Sequence, residues 1–226
     1  MKTRDTYALL IAGNEKAHED TITLFQLFLL GDSVFDPARV RLVLGKLGND
    51  YLLSQANSFF QMIKESGKQS DVVIAYNGHG NKKGFEADGN TLPYEELGRL
   101  IDNCCRYFFI NDSCYSGTAI PSFERLGLLP LKGQVLTSSA SHEKSYGGIF
   151  LSKLMRDYLR CKSFTCTTIG FKKSDRQIME DGTDYIRLIE QIQYPQRAGI
   201  TLGHLLFAEQ VPKVSLREAL TVPLVY

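Results

Sequence analysis

The stretch DVVIAYNGHG, residues 71 to 80, decides the fold. A run of β-branched and aromatic residues stops abruptly at Asn-Gly-His-Gly, so a buried strand ends in a turn that carries one imidazole between two glycines. A second stretch of the same build, RYFFINDSCYSG (106 to 117), ends in a thiol with glycine close behind it.

Outward from these two, apolar runs of strand length alternate with segments of helical period, the sequence sign of a parallel sheet flanked by helices in an α/β fold. The expected strands are 7 to 13, 39 to 45, 71 to 77, 106 to 112 and 133 to 139, with a weaker sixth at 200 to 207. Helices are expected over 20 to 30, 50 to 65, 93 to 104, 148 to 160 and 176 to 192, with Pro93 in a first turn and Thr91 as its cap. The Asp-Gly and Gly-Asn pairs of GFEADGNTLP (84 to 93) predict a small hairpin. With no repeat, low-complexity tract or linker, residues 1 to 226 are read as one domain, with a mobile loop at about 161 to 176 and a peripheral tail at about 208 to 226.

The composition is that of an ordinary globular chain: 226 residues, 43% hydrophobic, 23% charged, net charge +1. That balance gives no footprint for nucleic acid. The longest apolar run, ITLFQLFLLG (22 to 31), falls well short of the roughly 20 residues of a membrane span. Five cysteines without a Cys-x-x-Cys pair argue against a disulfide framework and against structural zinc, so the thiols are expected free, in a reducing, cytoplasmic setting. The start YALLIAG (7 to 13) reads as the first strand and not as a leader peptide. No metal or other cofactor is expected. Glu86 and Asp88 are scattered acids outside any calcium loop, so calcium activation cannot be read from the sequence. Oligomeric state is equally silent.

In an open α/β sheet, ligands bind beyond the carboxyl ends of the strands. If the strands ending at 77 and 112 are parallel neighbours, His79 and Cys114 emerge at one rim, and the 35 residues between them hold a crossover with the helix at 93 to 104. An imidazole that takes a thiol proton and later returns one to a leaving amine is the minimum kit for nucleophilic acyl transfer. The amides of Gly80 and Cys114 could stabilise an oxyanion, each such donor being worth about 2.7–4 kcal/mol. His142, in SSASHEKSYGG, is the runner-up base, while His18 and His204 lack the Gly-His-Gly setting. The other cysteines are structural by default: Cys104 and Cys105 close a helix, and Cys161 and Cys166 lie in the loop region.

At these residues the sequence resembles the caspase-like superfamily of cysteine peptidases, in which one apolar strand ends in His-Gly and a later one in Asp/Glu/Gln-x-Cys. VVIAYNGHG and YFFINDSCYSG match both halves, and VLTSSASHEKSYGGIFLSKLM and YPQRAG look like the segments that follow in this group. DSCYSG looks nearest to the Asp-Ser-Cys-His-Ser-Gly of metacaspases, with Tyr115 in place of His, while the short His-to-Cys distance also fits legumains. The resemblance implies a caspase-like fold, with a mostly parallel sheet of about six strands and helices on both faces. It also implies a polypeptide substrate, with His79 as general base and acid, Cys114 as nucleophile, and Gly80 with Cys114 as the oxyanion site. Asp112 then lines the pocket for the residue before the scissile bond and favours Arg or Lys, with Ser139 and Ser141 adding pocket hydrogen bonds. If Asp112 instead caps a backbone turn, that preference fails and the dyad stands. Lys172, Lys173 and Arg176 then offer a self-cleavage site. A catalytically silent scaffold and a legumain-like peptidase or ligase with another residue preference are the alternatives.

Overall fold

The computed structural model describes residues 5–30, 35–101, 105–129, 132–142, 144–145 and 150–151. The expected strand at 200 to 207, the helix at 176 to 192, the loop at 161 to 176 with its three basic residues, the tail and most of the helix at 148 to 160 lie outside them. Within them the fold is α/β. Strands β1 (Asp5–Ala12), β2 (Val40–Leu44), β3 (Ser70–Asn77), β7 (Cys105–Asp112) and β8 (Gly133–Thr137) form one sheet in the order β2-β1-β3-β7-β8, every pair parallel.

That order follows from the chain. Helix α1 (Lys16–Leu30) carries the chain from β1 outward to β2; α2 (Asn49–Glu65) brings it back past β1 to β3; α3 (Tyr94–Leu100) and α4 (Ala119–Arg125) continue the same way to β7 and β8. Right-handed crossovers that travel in opposite directions put their helices on opposite faces. Accordingly Leu9, Ile11, Val72, Ile74 and Phe109 share a core with Leu52, Phe59 and Ile63 of α2, Leu97 of α3 and Phe123 of α4. Ala8, Leu10, Val73, Ala75 and Ile110 alternate with them along the strands and are buried toward the other face, where α1 supplies buried Ile22, Phe25 and Leu29. Phe109 stacks on Phe123 (centroids 5.4 Å apart) and meets Phe85 edge-on at 5.9 Å. Burying such a ring contributes about 1.5–3 kcal/mol, and Phe109→Ala would cost about 3–5 once the cavity is included.

Between β3 and α3 the chain makes a second, antiparallel sheet of three short strands, β4 (His79–Gly80), β5 (Gly84–Ala87) and β6 (Asn90–Pro93). The expected hairpin is β5–β6. Its two turn residues, Asp88 and Gly89, both have positive φ (50° and 75°), the backbone a two-residue hairpin turn demands and Asp-Gly supplies. Three local expectations are corrected. Thr91 does not cap α3: it lies in β6 and its hydroxyl accepts from Asn81 Nδ2 at 2.6 Å, while Pro93 stands at the cap position itself. Cys105 does not close a helix but opens β7, buried against Tyr107 and its neighbours. His79 and Gly80 are not a bare turn but the first strand of the small sheet. Among the described residues no helix is long and apolar enough to cross a membrane.

Candidate active site

The sheet order reverses direction at β1: one crossover leaves it toward β2, the other arrives beside it at β3. At such a switch point the loops after the two strands part to opposite faces and leave a crevice at their carboxyl ends. Glu15 follows β1 there and His79 follows β3. The crevice is drawn tight by a backbone bond from Gly13 N–H to Asn77 O (2.7 Å). A Cβ on Gly13 would come within 2.8 Å of His18 Nδ1 and 2.9 Å of Gly78 Cα, so the two strand exits touch only because glycine is there.

The register of β3 on β7 sets the next neighbour. Asp71 lies opposite Arg106 and Asn77 opposite Asp112, an offset of 35 residues. His79 and Cys114 keep the same offset two residues past the last aligned pair. Gly80 packs against the Cys114 loop: a Cβ there would meet Cys114 O at 2.6 Å and Ser113 Oγ at 2.7 Å.

His79 is half-exposed, and its Nε2 stands 2.7 Å from Glu15 Oε1. An ionised carboxylate only accepts, so Nε2 carries the proton and neutral His79 keeps its lone pair on Nδ1. The same hydrogen bond, with the charge of His79 next, lowers the pKa of Glu15 and keeps it ionised. The His79 main chain is fixed from below by buried Tyr76, whose hydroxyl donates to His79 O at 2.6 Å; burial holds that phenol well above its ordinary pKa, so it stays a donor. His18 sets its ring edge-on to His79, centroids 4.9 Å apart. It is buried, and that burial pushes its pKa below the ordinary histidine value.

Cys114 sits on a sharp strand-to-helix corner. Tyr115, next in line, has φ 55°, a left-handed conformation costly for a residue with a side chain, and residues 116 to 118 make a single 3-10 turn before α4. The corner is clamped to the end of β8. Ser139 Oγ donates to Ser113 O (3.1 Å) and accepts from Ser116 N–H (3.1 Å), Gly117 N–H donates to Ser139 O (3.0 Å), and Ser138 Oγ donates to Ser113 O (3.2 Å). Ser139 is thus buried beneath the corner with its hydroxyl engaged, and Ser141 is exposed, its N–H placed where a Cβ on Gly117 would lie 2.7 Å away. The partly exposed Cys114 thiol meets the main chain of Ser145, with N–H and carbonyl oxygen each 3.3 Å from Sγ.

Asp112 is fully buried. Its Oδ2 accepts from Asn77 Nδ2 (3.1 Å) and from Leu151 N–H (3.2 Å), and Oδ1 lies 3.5 Å from Ser145 Oγ. His142 is exposed in a turn. Sequence reasoning missed Glu15, His18, Tyr76 and Ser145. Glu15 and His18 follow an expected strand, but only the adjacency of β1 and β3 brings them to His79; Tyr76 and Ser145 left no signal, because their contacts here run through main-chain atoms.

No family model matches this sequence, and no curated protein matches it. Among solved structures, a secreted C11 cysteine protease from Bacteroides thetaiotaomicron, in complex with an irreversible peptide inhibitor, is similar over 58% of this chain at 12% identity and TM-score 0.37. The chain spans about half of that structure, with 47% of it covered. At that distance the likeness assigns no residue.

Proposed function

We propose that this chain is a cysteine endopeptidase acting through His79 and Cys114. The observation that carries the reading is that β3 and β7 are parallel neighbours ending at the pair Asn77 and Asp112, two residues before His79 and Cys114 respectively, and that Gly80 packs on the Cys114 corner. In the reaction, His79 Nδ1 takes the Sγ proton, and the thiolate attacks the peptide carbonyl carbon. The oxyanion is met by the Gly80 and Cys114 amides. Collapse breaks the C–N bond as His79 protonates the leaving amine, giving a thioester. Water, deprotonated by the same nitrogen, hydrolyses it and the proton returns to sulfur. Glu15 acts as a positioning residue: it holds the proton on Nε2 and offsets the imidazolium charge. Before attack the thiol must leave Ser145 O.

For specificity we propose cleavage after Arg or Lys, with Asp112 as the pocket carboxylate and Ser139 and Ser141 at the pocket wall. A second reading of Asp112 is favoured by its partners. With Asn77 and the Leu151 amide already on Oδ2, the carboxylate anchors the strand end and a helix turn, and the side-chain preference is set elsewhere. The proposal further includes self-cleavage at the basic loop residues, a single-domain organisation and an intracellular location, with no cofactor required.

The test is turnover of fluorogenic peptides ending in Arg, Lys, Asn or Asp by wild type, Cys114→Ala and Asp112→Asn. Activity that vanishes in Cys114→Ala supports the peptidase, and equal rates in both would falsify it. A basic preference lost in Asp112→Asn supports the pocket role; one retained, with lowered thermal stability, supports the anchor.

A further inference from the structure

Three nitrogen and oxygen ligands of the type that bind transition metals converge at the crevice between β1 and β3. Glu15, His18 and His79 each offer a donor atom, all within 4.8 Å of one another. Their arrangement is built from two sides: Glu15 immediately precedes α1, whose first turn carries His18 and bonds back to the Glu15 carbonyl, and His79 comes from the small sheet. His79 Nε2 lies 2.7 Å from Glu15 Oε1, and His18 Nε2 lies 3.9 Å from Glu15 Oε2. Donors around a tetrahedral zinc at roughly 2.0–2.2 Å stand about 3.3–3.6 Å apart, a spacing that lies between the two separations from His79 and His18 to the Glu15 carboxylate.

We propose that Glu15, His18 and His79 form a site for a transition-metal dication, zinc foremost, whose occupation takes His79 out of use as a base. Two imidazoles and a carboxylate, with a fourth position open to water, are a donor set for zinc and its neighbours and a poor one for calcium or magnesium, which take oxygen. Glu15 and His79 are exposed and give the ion an entry path, while His18 is buried and closes the inner side of the site.

The inhibitory half rests on the peptidase reading and follows from proton placement. In the free site Nε2 of His79 carries the proton, and Nδ1 the lone pair. A metal on Nε2 requires the proton on Nδ1, so the ring remains neutral but can no longer accept a proton from the thiol. His18 must make the same switch. Its Nδ1 now accepts from Glu15 N–H at 3.3 Å, a long bond that is given up on loading and that makes the site weaker than a preformed structural one.

The experiment is calorimetric titration of the full chain with Zn²⁺, paired with Co²⁺ absorption spectra. Expected are one ion per chain, visible d–d bands without a thiolate-to-metal charge-transfer band, full retention in Cys114→Ala, and affinity at least about tenfold lower in Glu15→Gln and His18→Gln. Excess Ca²⁺ should not compete. Glu15 is exposed, so Glu15→Gln keeps its fold and decides the matter if His18→Gln does not. Absence of binding, a thiolate band, loss in Cys114→Ala, or unchanged affinity in Glu15→Gln would each overturn the site. Binding is read without turnover, so failure of the peptidase reading leaves it standing. Zinc that binds there while an active enzyme keeps its full rate would overturn inhibition alone.

Discussion

The paired strands β3 and β7 begin beside Asp71 and Arg106 and run out, two residues past Asn77 and Asp112, to His79 and Cys114, and the two ends differ in how their side chains are held. At the amino end Asp71 and Arg106 lie directly opposite and bond through both carboxylate oxygens, at 2.8 and 2.9 Å, with Asp71 nearly buried. At the carboxyl end His79 and Cys114 hold third parties: His79 the carboxylate of Glu15, Cys114 the main chain of Ser145. A pair that bonds to itself stiffens the sheet. At the other end each side chain is held by a different neighbour, and the proposed reaction uses the two together.

The largest effect should come from the carboxyl end and appear only in turnover. His79→Ala is expected to lower kcat/KM by about 10²–10⁴-fold while changing the free energy of urea unfolding by no more than about 0.5 kcal/mol, because the side chain is half-exposed. The amino end should do the reverse. Arg106→Ala strips Asp71 of its bidentate partner and should cost about 1–3 kcal/mol in chemical denaturation, with kinetic constants unchanged at temperatures where the protein is folded. A variant at either end that moved both observables equally would break the contrast.

Glu15→Gln sharpens it further. The amide still reaches His79 but no longer fixes the Nε2 proton by charge, and the exposed setting screens the pair, so about a tenfold loss in kcat is expected with KM little changed. A loss confined to KM would place Glu15 in substrate binding. The smallest effect is a pH slope. His18 has its folded pKa below the ordinary 6.5 because of burial. The stability of its neutral form is therefore complete above that value and drains away as pH falls through the window beneath it, where only the unfolded chain takes up the proton. His18→Gln should flatten this part of the stability profile, measured by urea unfolding between about pH 7 and pH 5, and an unaltered slope would assign it to other groups.

The fold was readable because strand cores announce themselves: β1, β3 and β7 are continuous apolar runs, and each lies within two residues of its expected bounds. The hairpin was readable because Asp88-Gly89 has a backbone requirement that sequence states openly. Glu15 and His18 were passed over for a different reason. Their importance depends on β1 lying beside β3, a fact of sheet order that no local pattern encodes. The engagement of Asp112 with Asn77 and Leu151 is likewise tertiary, and a motif that names the position says nothing of which way its carboxylate turns.

The central claim, that His79 activates Cys114 at a common rim, is tested most directly by trapping. A peptidyl chloromethyl ketone ending in Arg, incubated with wild type and with His79→Ala and followed by peptide mapping, should label Cys114 alone, once per chain, and at least about 10²-fold faster in wild type. Equal labelling rates in the two proteins, or label on Cys105 or another thiol in place of Cys114, would contradict it.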